Sequence, residues 1–271
     1  MWYFIISAIV LAFAAVVFCL WWFWLRLLPV SWKKCTLASL WDGPNAEKRM
    51  MNMLSPHFST SKFEEYLKWQ KKTRGCNTVH LFLSNWRDGE GGGYSIYGNN
   101  PTIGWVIDKS LVKTMTERIL ACRKAGLAVV PWLLADDSTA WNRTLLSDPE
   151  RYVRDLVKQG LLKYASMVCV GLELDEYASD AQVGAMVAAL KKHWGGKVAT
   201  HHVSKSLRFA HHGDIVFAQV DPSTSDADML TFAARVRQTG KPCGIIEHRR
   251  NPDRPRSQKL IDAGLPFVGN W

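Results

Sequence analysis

Apolar and polar positions alternate along this chain with two different periods. Short apolar runs rich in Val, Ile and Leu recur at intervals, and between them apolar residues return every three or four positions. The first pattern is typical of buried strands and the second of amphipathic helices. Strands that alternate with helices build parallel sheets, so the pattern predicts an α/β fold. The predicted strands are residues 36–42, 78–86, 127–137, 167–176, 198–204, 215–221, 243–249 and 267–271.

The number of strands and the length of chain that holds them indicate the architecture. Eight strands in about 240 residues match the size of a (β/α)8 TIM barrel. The connection between the fifth and sixth strands is the exception, because residues 205–214 leave room for little more than about two helical turns. An open doubly wound sheet is the alternative fold.

The amino-terminal segment differs from the rest of the chain. Residues 1–25 contain no formally charged side chain and are almost wholly apolar, which is long enough to cross a bilayer. Three tryptophans cluster near the end of this segment, as interfacial anchors do. The sequence therefore predicts a single-pass membrane protein with a transmembrane anchor in residues 1–30 and a barrel domain in residues 31–271. Arg26 and the lysines after it favour a cytoplasmic barrel domain, although the side stays open.

Charge and histidine content bear on partners and cofactors. The formal net charge is +10, which favours anionic neighbours and allows an anionic substrate. Nucleic acid is not an expected partner. The pairs His201–His202 and His211–His212 lack further ligands at a recognisable spacing, so the sequence predicts no metal and no other cofactor.

Polar and aromatic residues gather at the carboxyl ends of the predicted strands. In TIM barrels the active site lies at these ends, whereas the opposite ends serve stability. The amino-terminal ends of the same strands carry few reactive groups, as Thr36, Val129 and Ile215 show. The ends therefore predict a substrate-binding site, with the candidates Trp41, Asp42, Asn85, Trp86, Asp136, His202, Gln219, Asp221, Arg249 and Trp271.

Carboxylates on two of these strands suggest a reaction. If the fourth strand continues to residue 176, alternation directs Glu173 and Asp175 toward the barrel axis, and Glu247 on the seventh strand enters the same mouth. Glycoside cleavage needs two carboxyl groups, one to protonate the leaving oxygen and one to attack the sugar or activate water. Because Glu173 has acidic neighbours and Glu247 basic ones, Glu173 is the predicted acid, Asp175 its substitute, and Glu247 the nucleophile or base.

A (β/α)8 barrel with acidic residues at the ends of strands four and seven resembles the clan-A glycoside hydrolases. The resemblance implies that Glu173 is the acid/base, that Glu247 is the nucleophile, that configuration is retained, and that Trp271 floors the sugar site. One departure is Leu172, where that clan usually has Asn. The segment also resembles the GxDxDxE signature of chitinase-like barrels, but Tyr177 stands where the catalytic Glu of that signature belongs.

Two functions from different classes remain open at this point. The first is a membrane-anchored glycoside hydrolase that acts on a polysaccharide or oligosaccharide. The second is a membrane-anchored barrel that binds a glycan or another anionic ligand without turnover. In the second case Glu173 and Asp175 would form structural ion pairs with His202 or Arg249.

Overall fold

A computed structural model describes residues 10–21, 28, 31, 37–39, 60–73, 76–87, 90–135, 141–247 and 254–270. Eight strands run parallel and close into a barrel, and two short strands form a separate antiparallel hairpin. The strands are β1 (Leu37–Ser39), β2 (Thr78–Phe82), β3 (Asn85–Arg87), β4 (Glu90–Tyr94), β5 (Ala128–Leu134), β6 (Val168–Gly171), β7 (Val198–His202), β8 (Ile215–Gln219), β9 (Cys243–Glu247) and β10 (Phe267–Asn270).

Strand order decides between the two predicted folds. Neighbours around the barrel are β1, β2, β5, β6, β7, β8, β9 and β10, with β3 and β4 forming the hairpin. The last of these pairs with β1 in parallel, opposing Leu37 to Val268. An open sheet has two free edges, whereas this pairing leaves none. The prediction of a TIM-like α/β fold is therefore confirmed.

Helices cover the outside of the barrel. They begin at capping residues, as at Asp108, whose carboxylate accepts from the backbone N–H groups of Ser110 and Leu111. Ser179 and Gln182 form a reciprocal capping box at the start of another helix. The helices are α1 (Thr60–Thr73), α2 (Lys109–Lys124), α3 (Trp141–Ser147), α4 (Pro149–Lys158), α5 (Leu174–Tyr177), α6 (Asp180–His193), α7 (Asp226–Arg237) and α8 (Arg254–Asp262).

The connection between β7 and β8 has no α-helix. All of residues 203–214 are described, and they form successive turns. The ammonium group of Lys241 donates to the carbonyl oxygens of Ala210, His211 and Gly213 at 2.7, 2.9 and 2.6 Å. These bonds satisfy carbonyl groups that a helix would otherwise pair internally. The short connection predicted from the sequence is thus present.

The core has an inner layer within the barrel and an outer layer between strands and helices. Val170 and Leu174 belong to the outer layer. Leu172 belongs to the inner layer instead, together with Trp132 and Phe217. Regular alternation along a strand that reached residue 176 would put Leu172 on the same face as Val170, but the strand stops at Gly171 and Leu172 turns inward.

The predicted membrane anchor is not supported. Among the residues the structure describes, none lies in a helix both long and apolar enough to cross a membrane. The prediction of a single-pass membrane location is therefore wrong, and a membrane partner through residues 1–25 is not supported. Residues 1–9 and 22–25 lie outside the described part, and the domain boundary at residue 30 stays a prediction.

Candidate active site

A tight turn follows β6 and positions the carboxylates of the mouth. The strand was predicted to continue to residue 176, but it ends at Gly171. A Cβ atom at Gly171 would lie 2.7 Å from the Cβ of Leu134 and 2.8 Å from the hydroxyl of Tyr177. That hydroxyl lies 2.7 Å from the carbonyl oxygen of Ala135 and 2.9 Å from that of Leu172. Tyr177, at the position of the chitinase glutamate, therefore fastens the turn.

Glu173 is held on two sides at the carboxyl end of the barrel. Its backbone is left-handed, with φ 48° and ψ 42°, which costs a residue other than glycine about 1–3 kcal/mol. Its N–H donates to Nδ1 of His201 at 3.1 Å, and its Oε1 accepts from Nε2 of Gln219 at 2.6 Å. Strained backbone persists only where neighbours fix it, as the ends of β7 and β8 do here.

Asp175 lies in a separate network. Its Oδ2 accepts from Nδ1 of His202 and from the N–H of Val203, both at 3.2 Å, and its Oδ1 accepts from the hydroxyl of Ser206. Burial would raise the pKa of Asp175, but the hydrogen bonds from His202 and Ser206 outweigh it and hold the pKa below its ordinary value. The side chain is 7% exposed. These contacts favour a structural role for Asp175 over proton transfer.

Of the two adjacent histidines on β7, the one facing the barrel axis is His201. Its ring centroid lies 4.9 Å from that of Trp132 in the inner layer. His202 was the predicted ligand contact, but it is fully buried and lies beside Asp175 and the hydroxyl of Thr200, 3.1 Å away. Alternation along a strand gives neighbouring residues opposite faces, so only one of the pair can face the axis.

Beneath Glu173 the barrel interior contains a second histidine, which was not among the residues predicted from the sequence. His80 on β2 lies 5.2 Å from the Trp132 ring and 5.8 Å from the Phe217 ring, centroid to centroid. Burial lowers the pKa of His80 to about 3. Burial, together with His202 and His80, also holds the pKa of His201 well below its ordinary value. Both rings are therefore neutral, and the alternation of His80 with Val79 and Leu81 was the signal available in the sequence.

The pairing of β8 with β9 brings the backbone of Glu247, the second predicted catalytic residue, next to Gln219. Regular pairing aligns Ala218 with Ile245, and after an irregularity Gln219 aligns with Glu247. Bulges of this kind are common at barrel rims and beside active sites. Glu247 is thus level with the residue that binds Glu173; only its backbone is described.

The remaining candidates divide into three groups. Asp221 accepts from the N–H of Ser223 at 2.8 Å, and the Ser223 hydrogen bonds lower the pKa of Asp221, which serves an exposed local turn. Asn85 and Trp86 form part of β3, of which only the backbone is described. The others lie outside the described residues, and their roles stay predictions: Trp41, Asp42, Asp136, Arg249 and Trp271.

The basic segment after β9 contains one arginine whose environment is clear. Arg256 is 7% exposed and donates to the carbonyl oxygen of Thr224 at 2.9 Å. Its guanidinium also lies 3.6 Å from the carboxylate of Asp226. These contacts join α8 to α7, so Arg256 is used within the fold.

Comparison with solved structures finds the same architecture. A β-1,4-mannanase of glycoside hydrolase family 113 is 13% identical, with a TM-score of 0.56 over 87% of this chain and 86% of the other. A family 5 glycoside hydrolase from Bacteroides vulgatus is 13% identical, with a TM-score of 0.62 over 86% of this chain and 57% of the other. The fold is that of the clan-A glycoside hydrolases.

A third neighbour was solved with a sugar. It is a family 5, subfamily 18 enzyme from Bifidobacterium longum subsp. longum in complex with Manβ1-4GlcNAc, 15% identical, with a TM-score of 0.58 over 82% of this chain and 65% of the other. No protein-family model and no curated protein matches the sequence. The predicted resemblance is therefore confirmed at the level of the fold.

Proposed function

We propose that this protein is a glycoside hydrolase that cleaves a β-linked oligosaccharide or polysaccharide. The observation that carries the proposal is Glu173, a carboxylate held in a strained backbone conformation at the carboxyl end of a barrel strand. Active sites of this architecture lie at that end. The clan-A fold of the neighbours supports the same reaction class.

Glu173 would serve as the general acid and base. Such a residue must be stable both with and without its proton, because it first protonates the leaving oxygen and then deprotonates water. The side chain of Gln219 suits both states, since an amide carries a donor and an acceptor. Its N–H₂ group donates to the carboxylate, at 2.6 Å here, and after rotation its carbonyl oxygen would accept from the carboxylic acid.

Glu247 would serve as the nucleophile. Neighbouring strands lie about 4.8 Å apart, so the backbone of Glu247 flanks Gln219 on the side away from β7. A Glu247 carboxyl group directed toward Gln219 would face Glu173 across that amide, and the proposed separation of the two carboxyl groups is the roughly 5–5.5 Å that retaining enzymes use. The proposal thus includes retention of anomeric configuration.

The substrate proposed first is a β-1,4-linked mannose chain. Two of the neighbours are a β-1,4-mannanase and an enzyme in complex with Manβ1-4GlcNAc. Trp41, Trp86 and Trp271 are the proposed stacking faces for sugar rings. The net charge of +10 makes an acidic glycan the second class to test.

One observation favours a second function, a barrel that binds a glycan without cleaving it. Leu172 occupies the position where the clan usually has Asn beside its acid/base, and it packs in the inner apolar layer. An apolar side chain cannot hydrogen-bond a sugar hydroxyl. Asp175, in turn, is engaged by His202 and Ser206 as a structural ion pair would be.

The deciding experiment measures product release from mannohexaose and from an acidic glycan. Glu173→Gln and Glu247→Gln should each lower kcat by about 10²–10⁴-fold, because each removes an acid/base or nucleophilic step. Proton NMR of the first product should give the anomer of the substrate. Glu117→Gln, an exposed glutamate on α2, is the matched control and should keep full activity.

The outcomes separate the two functions. Binding of mannohexaose by the wild type without any product would select the binding barrel. Cleavage that survives in both Glu173→Gln and Glu247→Gln would reject this carboxylate pair, while leaving the fold unaffected.

A further inference from the structure

On the outside of the barrel, one carboxylate and two imidazoles converge. Nε2 of His212 lies 3.0 Å from Oδ1 of Asp180, and Nε2 of His211 lies 3.3 Å from the same oxygen. One potential ligand atom from each residue falls within 4.8 Å of the other two. Asp180 opens α6, and the histidines belong to the β7–β8 connection, so two elements distant in sequence meet here.

We propose that Asp180, His211 and His212 bind a divalent transition-metal ion, with Zn²⁺ as the ion of choice. Zinc binds imidazole nitrogen and carboxylate oxygen at about 2.0–2.1 Å in tetrahedral geometry, which separates neighbouring ligand atoms by about 3.3–3.4 Å. The two His–Asp distances of 3.0 and 3.3 Å are close to that edge. Mixed nitrogen and oxygen ligands select zinc-like ions over Mg²⁺ and Ca²⁺, which prefer oxygen alone.

The loop that carries the histidines is fixed before any metal binds. Lys241 binds three of its carbonyl oxygens, including that of His211. A Cβ atom at Gly213 would lie 3.0 Å from the carbonyl oxygen of Ile215, so the chain is closely packed just after the pair. A site whose ligands are already held in place loses less conformational entropy on binding.

The helix side of the cluster has matching features. The capping box of Ser179 and Gln182 fixes the first turn of α6 and with it Asp180. One turn further, a Cβ atom at Gly184 would lie 2.9 Å from Cε1 of His212. Glycine weakens a helix interior, and here it leaves the space that the His212 ring occupies. Both halves of the cluster are therefore shaped to let the imidazole approach the carboxylate.

The bound metal ion would stabilise the fold. It lies where the β7–β8 connection crosses α6 without a helix of its own. A metal ion shared between the two elements would tie the connection to the barrel. Side-chain exposures of 60% for His211 and 56% for Asp180 leave the site open to solvent, where one or more waters complete the coordination.

The test uses the full chain without a histidine tag, freed of metal by a chelator. Cys19, an exposed thiol that would also bind zinc, is replaced by Ser in every sample. Calorimetric titration with ZnCl₂ should give one zinc per chain, and zinc should raise Tm, because an ion that binds only the folded state stabilises it. His211→Ala and Asp180→Asn should weaken binding by at least about tenfold and abolish the rise in Tm.

Two controls make the result specific. His193→Gln removes a histidine outside the cluster, one that pairs with Glu150 at 3.2 Å, and it should leave zinc affinity unchanged. MgCl₂ should not raise Tm. Zinc binding equal in His211→Ala, Asp180→Asn and the wild type, or no binding at about 100 µM ZnCl₂, would overturn the proposal and leave a hydrogen-bonded surface cluster.

Discussion

The inner and outer layers of this barrel are both buried, yet the Tyr152 hydroxyl of the outer layer and the histidines of the inner layer differ in their hydrogen bonds. In the outer layer the hydroxyl of Tyr152 donates to the carbonyl oxygen of Leu133 at 2.9 Å. In the inner layer Nδ1 of His80, Nε1 of Trp132 and Nε2 of His201 are buried without a hydrogen-bond partner among the described residues. A buried polar atom without a partner costs about 1–3 kcal/mol.

The difference fits the proposal that the outer layer stabilises the fold while the inner layer lies beneath the proposed active site. The outer layer packs strands against helices and contains mostly aliphatic side chains. The inner layer tolerates histidines directly beneath Glu173, whose backbone is itself strained. Destabilising groups persist where they serve a site, and those of the inner layer lie at its floor.

The largest expected effect is a loss of folding stability in acid, caused by the histidines of the inner layer. His80 and His201 stay neutral when folded, whereas in the unfolded chain each binds a proton below about pH 6.5. The unfolded state then holds more protons, so stability falls as pH falls, by up to about 1.4 kcal/mol per histidine per pH unit. Urea unfolding between about pH 6.5 and pH 4.5 should show this slope.

The matched variant for this slope is His80→Leu. It removes one of the two neutral histidines. The part of the dependence of unfolding free energy on pH that the two histidines cause should therefore fall by about half. Asp175 does not interfere in this window, because its lowered pKa means that its contribution is lost only at more acidic pH. An unchanged slope in His80→Leu would show that His80 is protonated in the folded state.

A smaller effect is expected at the turn that ends β6. Gly171→Ala would place a Cβ atom 2.7 Å from Leu134 and against the Tyr177 hydroxyl. Overpacking of this kind costs about 1–3 kcal/mol, and displacement of the turn should also lower any activity that depends on Glu173. Chemical unfolding and product release measure the two effects.

Gly184→Ala on α6 is the control for this substitution. There the three atoms nearest to the added Cβ all belong to the ring of His212, and alanine favours helix, so the change in stability should be smaller. If Gly171→Ala is as stable as the wild type, the turn relaxes more easily than its contacts indicate.

The smallest expected effect is a loss of stability that does not vary with pH. Tyr152→Phe removes a satisfied hydrogen bond in the outer layer and should lower the free energy of unfolding by about 1 kcal/mol. Burial raises the pKa of Tyr152, so the hydroxyl does not titrate in the acidic range. The loss should therefore be equal at every pH between about 4.5 and 8, unlike that of His80→Leu. A loss of stability in Tyr152→Phe that varied with pH would contradict this difference between the two layers.

Sequence patterns located the strands but not their ends. The predicted starts at residues 78, 198, 215, 243 and 267 agree with the structure. The fourth strand, in contrast, was predicted five residues too long, because nothing local reveals that Tyr177 folds back onto Ala135. That error assigned Glu173 and Asp175 to one face, whereas they enter separate networks.

Residues far apart in the chain explain the other differences. The spacing of His211 and His212 along the chain did not indicate a set of metal ligands. Asp180 is distant from them in sequence and meets them only in the folded protein, at the start of α6. The choice of His202 over His201 depended on which face of β7 looks inward, and the packing against Trp132 decided it. The apolar run in residues 1–25 predicted a membrane span that the described helices do not contain.

The sequence by itself determined the alternation of strands and helices, the parallel barrel and the strand ends at which polar residues gather. These features depend on periods of two and 3.6 residues, which are local and legible along the chain. Tertiary structure alone decided which carboxylate is held at the mouth, which histidine faces the axis, and which three residues converge on α6. Such choices depend on burial, on backbone strain and on contacts between distant segments, and none of these is a property of a short stretch of sequence.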